Sequence, residues 1–139
     1  MIVNTPDRGI GTDRVCQEEI LTEILDSIKF EVPAIHAVLL VSSEGLPIAS
    51  TRFDMSHDET VLSAMTAALV SVAEQASLEL DKGEPSALIV ECPKGLIVLK
   101  RINEDVLVSV VTREGVRLGL LLLTLSKAKN KICQVLRYS

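Results

Sequence analysis

The sequence has almost no aromatic residues: Phe30, Phe53 and Tyr138 are the whole set in 139 residues, and tryptophan is absent. Base-stacking platforms for single-stranded nucleic acid are thereby excluded, and a chain that is 47% apolar must fill its core with Leu, Val, Ile and Ala. Positive charge is also scarce. A formal charge of −5 opposes a phosphate-backbone partner, which needs clustered Lys and Arg to displace counterions. Only Lys127, Lys129, Lys131 and Arg137 gather cations, and they read as a solvated helix face suited to a helix C-terminus. No nucleic-acid partner is expected.

Cysteine is sparse and odd in number. Cys16, Cys92 and Cys133 form no C-x-x-C pair and have no His at ligand spacing, which argues against a disulfide framework or a zinc site and fits a reducing compartment. The first 13 residues lack the apolar run of a signal peptide, and no stretch reaches the roughly 18 apolar residues of a membrane span. A cytoplasmic protein without membrane insertion is expected. His36 and His57 stand beside no Ser or Cys in a nucleophile motif, and no G-x-x-x-x-G-K-[ST] phosphate loop occurs. Asp54, Asp58 and Glu59 form the densest acidic cluster, better explained by helix capping than by a bound cation. The reading is of a non-enzyme without catalytic residues, cofactor or metal.

What is present is a pattern of alternating elements in one domain. Residues 1–13, with two Gly and a Pro and no apolar period, read as a flexible tail; the domain spans 14–139. Ile20, Leu21, Ile24, Leu25 and Ile28 recur at helical spacing and stop before Pro33. The unbroken apolar run 37–41 reads as a central strand, joined through Ser43-Glu44-Gly45 to a second strand that Pro47 places nearer an edge. Ser56-His57-Asp58-Glu59 has the capping-box form, predicting a helix from there to about Leu80. A meander of three strands follows over 87–92, 96–102 and 106–111, and a last helix begins within 113–116 and reaches Leu136. Five strands and three helices imply an α/β fold, an antiparallel-rich sheet with helices on both faces.

Two segments ask for a partner. In the second helix, apolar residues from Val61 to Ala76 spread around most of the circumference, more than one sheet can cover. The run Ala87-Leu88-Ile89-Val90 has no charge, Pro or polar alternation, so at a sheet edge it invites pairing. A homodimer through Ala87, Leu88, Ile89 and Val90 with Met65, Leu69 and Val72 satisfies both, the alternative being a monomer with that strand in mid-sheet. A polar stripe of Ser63, Thr66, Val70, Glu74 and Ser77 is then expected to point outward and receive a further partner.

The strand-turn-strand Ala37-Val38-Leu39-Leu40-Val41-Ser42-Ser43-Glu44-Gly45-Leu46-Pro47-Ile48-Ala49-Ser50 carries a family resemblance. So do the Ala-rich phrase Ser63-Ala64-Met65-Thr66-Ala67-Ala68-Leu69 and the helix start Val116-Arg117-Leu118-Gly119-Leu120-Leu121. With these phrases in this order, the chain resembles the Roadblock and dynein light chain proteins over nearly all but the tail. The resemblance implies a three-layer α-β-α sandwich with a five-stranded sheet in the order 2-1-5-4-3, the second helix on one face and the first and third on the other. It also implies a homodimer through the third strand and second helix, and a role in regulating or scaffolding a small Ras-like GTPase, or as an adaptor subunit of a larger motor or scaffold complex. Arg52, Arg101, Arg113 and Arg117 are the candidates for a finger offered to a GTPase, against ordinary surface or turn roles. A small-molecule sensor is the rival from another class, but the aliphatic core shows no convergent polar cluster.

Overall fold

The computed structural model describes residues 5–52 and 58–137. In chain order the elements are α1 (Thr5–Glu31), β1 (Ile35–Ser42), β2 (Pro47–Arg52), α2 (Glu59–Glu79), β3 (Leu88–Cys92), β4 (Gly95–Arg101), β5 (Val106–Thr112) and α3 (Leu118–Arg137). The strands form one antiparallel sheet in the order β2-β1-β5-β4-β3. This is the three-layer order implied by the resemblance, with α2 alone on one face and α1 and α3 together on the other.

Burial follows from the apolar runs. Every residue of β1 from Ala37 to Val41 is buried, because its two neighbours pair with it and both faces are covered. Val38 and Leu40 point into the larger core with Leu21, Leu25 and Ile28 of α1 and Leu121, Leu125 and Ile132 of α3. Ala37, Leu39 and Val41 point the other way, with Leu99, Leu107 and Val70, into the thinner layer beneath α2. The period of two along the strand thus divides one apolar run between two cores.

The starts of all three helices differ from the sequence expectation. α1 is helical from Thr5 rather than from the boundary near residue 12. Pro6 falls in the first turn, where its missing N–H is one of the unpaired donors anyway, and each added residue gains one bond once a helix exists. The N-cap of α2 is Asp58, whose Oδ1 accepts from the Thr60 N–H at 2.9 Å; Ser56 and His57 lie outside the described residues. At the C-terminus of α2, Asp81 takes the left-handed conformation (φ 57°), and Gly83 beyond it also has a positive φ (81°). Lys82 N–H to Ser77 O at 2.8 Å and Asp81 N–H to Leu78 O at 3.1 Å complete a Schellman cap. α3 starts at Leu118, slightly later than the pattern suggested.

Two glycines permit close approaches. Gly45 (φ +92°) turns β1 into β2 under α2, where a Cβ would lie 3.2 Å from the Ala64 Cα. Gly95 (φ +144°) opens β4 against the carbonyl of Thr112, which a Cβ would strike. Ala at either position must shift backbone, but only at Gly95 is the obstacle a carbonyl oxygen inside the sheet. Gly95→Ala is therefore expected to cost about 3 kcal/mol or more of unfolding free energy and Gly45→Ala about 1–2 kcal/mol. Urea titration checks the order, and equal losses would contradict it.

Candidate functional site

α2 presents its small, hydroxyl-bearing side to the sheet. Ser63 and Thr66 are 0% and 3% exposed, and Val70 is buried beside them. Their hydroxyls need no partner from the sheet. Ser63 Oγ donates to Glu59 O at 2.8 Å, Thr66 Oγ1 to Leu62 O at 2.8 Å and Ser77 Oγ to Ala73 O at 2.9 Å, each one turn back on the helix. Of the expected outward stripe, Ser63, Thr66 and Val70 therefore face the sheet and are buried, with Glu74 and Ser77 half-buried at its margin, which corrects the sequence reading. Small side chains that satisfy themselves let the helix lie closer to the sheet than large apolar ones would.

Glu74, also on that side, is taken up by Arg101 of β4. The guanidinium pairs with both carboxylate oxygens, with Nη2 to Oε1 at 2.9 Å, and Nη1 donates to the carbonyls of Asn103 (3.1 Å) and Glu104 (3.0 Å). The hydrogen bond with Glu74 raises the Arg101 pKa above its ordinary value, against a smaller opposing effect of burial. Arg101 is thus a clip between α2 and the β4–β5 turn, not a free finger. Arg113 donates from Nη2 to Pro33 O at 3.3 Å, Arg117 is exposed, and the side chain of Arg52 lies outside the described residues.

The opposite side of α2 carries the large apolar residues. Val61, Met65, Leu69 and Val72 recur at spacings of four, four and three and are uncovered, Met65 at 52% and Val72 at 63%. Ala68 and Ala76 continue the stripe; Leu78 is exposed on the flank beside it and Leu80 at the C-cap. Val61 was counted in sequence among the apolar residues around the helix but not placed in the self-contact, although its i, i+4 spacing to Met65 is a legible signal; Leu78 was not singled out. By length and mean hydropathy α2 is apolar enough to cross a membrane, contrary to the sequence expectation, with 17% of that stretch buried. Among the residues that interrupt its apolar run, Ser63, Thr66 and Ser77 have their hydroxyls bonded to the helix's own backbone.

Beside this face stands the edge of the sheet. β3 pairs only with β4, and Leu88, Ile89 and Val90 are half-buried with one backbone edge unpaired, next to half-buried Ala87. Of the residues named for a self-contact, Ala87, Leu88, Ile89 and Val90 thus lie at an open edge, and Met65, Leu69 and Val72 on the bare side of the neighbouring helix.

The rest of the described surface offers little chemistry. No group of three or more metal-ligating side chains occurs among the described residues; Asp58 is an N-cap, and Asp54 lies outside them. Cys92 is an exposed free thiol, and Cys133 is half-buried with Sγ 3.5 Å from Ile102 O. Burial and then the nearby Lys129 hold Lys100 below the usual lysine pKa, and its Nζ donates to Ser86 O at 2.8 Å. The space between α2 and β3–β4 holds about 10 Å³, room for one water. Larger depressions of about 400–540 Å³ are open and superficial, along Ser71, Gln75 and Leu78 and beside Phe30 and Pro33. Among the described residues, that space does not admit a ligand of the kind a sensor would hold between its layers.

Residues 21–112 match the Roadblock/LC7 domain. No curated protein matches the chain in sequence. Among solved structures, Myxococcus xanthus MglB aligns with a TM-score of 0.79 at 20% identity, over 86% of this chain and 96% of that one. A Roadblock/LC7 domain from Streptomyces avermitilis aligns at 0.77 and 16% identity, over 84% and 97%. MglB in a tetrameric arrangement aligns at 0.79 and 16% identity, over 86% and 89%. Identities this low speak for the fold alone. The domain match over most of the chain says more: the protein belongs to the Roadblock/LC7 family, whose members are regulatory or adaptor modules rather than enzymes.

Proposed function

We propose that the chain is a homodimeric cytoplasmic platform that binds and regulates a small Ras-like GTPase. The carrying observation is the inverted α2, whose large apolar side is bare while its polar side is buried. Contiguous exposed apolar surface of this kind marks a protein contact, and the unpaired β3 edge beside it supplies backbone donors and acceptors to a second copy. Pairing β3 with its copy brings Met65, Leu69 and Val72 of two chains together under one axis. An MglB in a tetrameric arrangement supports self-association in this fold. The GTPase is assigned by the family resemblance, and with Ser63, Thr66 and Val70 turned inward its docking surface falls on the exposed flank of α2 at Ala64, Ser71 and Gln75.

The self-contact predicts a mass of twice the 15.1 kDa chain by light scattering at micromolar concentration. Val90→Lys or Leu69→Lys forces a charge into the contact and is expected to weaken it at least about a hundredfold, the equivalent of ~3 kcal/mol. A monomeric parent protein, or variants with unchanged mass, would count against this interface.

For the GTPase, a panel of Ras-like proteins from the source organism is loaded with GDP or a non-hydrolysable GTP analogue and titrated against the purified chain. Nucleotide-dependent binding is expected, and Ser71→Arg together with Gln75→Arg should abolish it without changing mass or melting temperature. Absence of binding by an intact dimer would leave an adaptor without GTPase contact.

A further inference from the structure

On the face away from α2, α1 and α3 pack against each other in opposite directions. Gln17 Nε2 lies 3.5 Å from Val135 O near one end, and at the other the Arg113 N–H, just ahead of α3, donates to Ala34 O at 2.8 Å. Their inward sides form the larger core. Their outward sides carry opposite charge. Glu19, Glu23 and Asp26 of α1 share one exposed stripe at helical spacing, which ends in Phe30, 85% exposed. α3 contains no acidic residue and exposes Lys127, Lys131 and Arg137, with Leu120 and Leu123 bare at its start. Among the described residues no ion pair joins α1 to α3.

We propose that this face binds the same face of a second copy, about a two-fold axis parallel to α1 and α3 and midway between them. Such an axis stacks α1 of each copy on α3 of the other. In the register set by the Gln17–Val135 contact, Glu23 and Asp26 of one copy stand over Lys127 and Lys131 of the other. Phe30 stands over Leu123, and each contact occurs twice. A partner bearing one sign of charge is attracted by one helix and repelled by its neighbour, whereas a second copy complements both. Phe30 supplies the aromatic anchor that charged contacts on a rim lack. Neither α2 nor β3 takes part, so the contact is independent of the dimer proposed above and joins such dimers into larger species.

Sedimentation velocity on the full chain tests this at about 0.05 M and about 0.5 M salt, a range over which exposed charges become screened. Species heavier than two chains are expected at low salt and are lost at high salt. Lys127→Glu with Lys131→Glu makes both helices acidic, and Glu23→Lys with Asp26→Lys makes both basic. Each double variant alone should weaken the heavier species at least about tenfold, and an equimolar mixture of the two should restore it, which misfolding of either could not do. Phe30→Ser should weaken it at low salt, where the charges alone remain to hold it. Repeating the series in Val90→Lys separates the two contacts, since there a salt-sensitive dimer remains. Absence of a salt-sensitive species, charge reversals that leave the mass unchanged, or a mixture that fails to restore assembly would overturn the proposal.

Discussion

The small side of α2 is the side that meets the sheet. Ser63, Thr66 and Ser77 return their hydroxyl protons to carbonyls one turn back, so burying them leaves no orphaned donor, a defect that would cost about 1–3 kcal/mol each. Gly45 offers no side chain to push the helix away. The consequence is that Val61, Met65, Leu69 and Val72 must face outward, since one helix cannot turn both sides to the sheet. Fully burying residues of this size contributes about 1.5–3 kcal/mol each. A covering surface can recover more than the fold lost by leaving them bare.

The other helical layer solves the opposite problem. α1 and α3 direct Leu21, Leu25, Leu121 and Leu125 inward to a core of ordinary size and keep charge outside. The chain thus has two unlike faces. One is apolar and continuous with an open strand edge, suited to a contact driven by burial and insensitive to salt. The other is charged with both signs side by side, suited to a weaker contact that salt dissolves. β1 and β5, buried between them, hold the two faces at a fixed separation.

Most of the fold was legible because it rests on apolar runs and turn residues. The unbroken 37–41 run marked a central strand and Pro47 an edge, while the bare 87–90 run was compatible with edge or mid-sheet until the strand order implied by the resemblance put it at the other edge. The orientation of α2 was not legible. With apolar residues around most of the helix, periodicity gives no inward direction, and the usual rule that polar residues face water pointed the wrong way. Only the three hydroxyl bonds to the helix's own backbone reverse it, and those depend on rotamers rather than on residue type. The helix start differed for a related reason: Ser56 and Asp58 can both cap, and it is Asp58 that accepts from the Thr60 N–H.

The two proposed self-contacts also differ in symmetry. Pairing β3 with its copy continues the sheet and sets an axis normal to it, at the β3 edge. The α1–α3 contact sets an axis parallel to the helices, above the middle of the sheet where β1 and β5 run. Two perpendicular two-fold axes close at four chains only if they intersect; axes that miss each other generate a screw, and the assembly extends. β5, β4 and β3 lie between the β1–β5 midline and the open edge, which at the spacing of neighbouring strands offsets the second axis by about 14 Å from the axis at that edge. Closure then depends on how far the α1–α3 layer slants across the strands towards β3. That angle, rather than any further contact, decides between a closed group of four and an open chain of dimers.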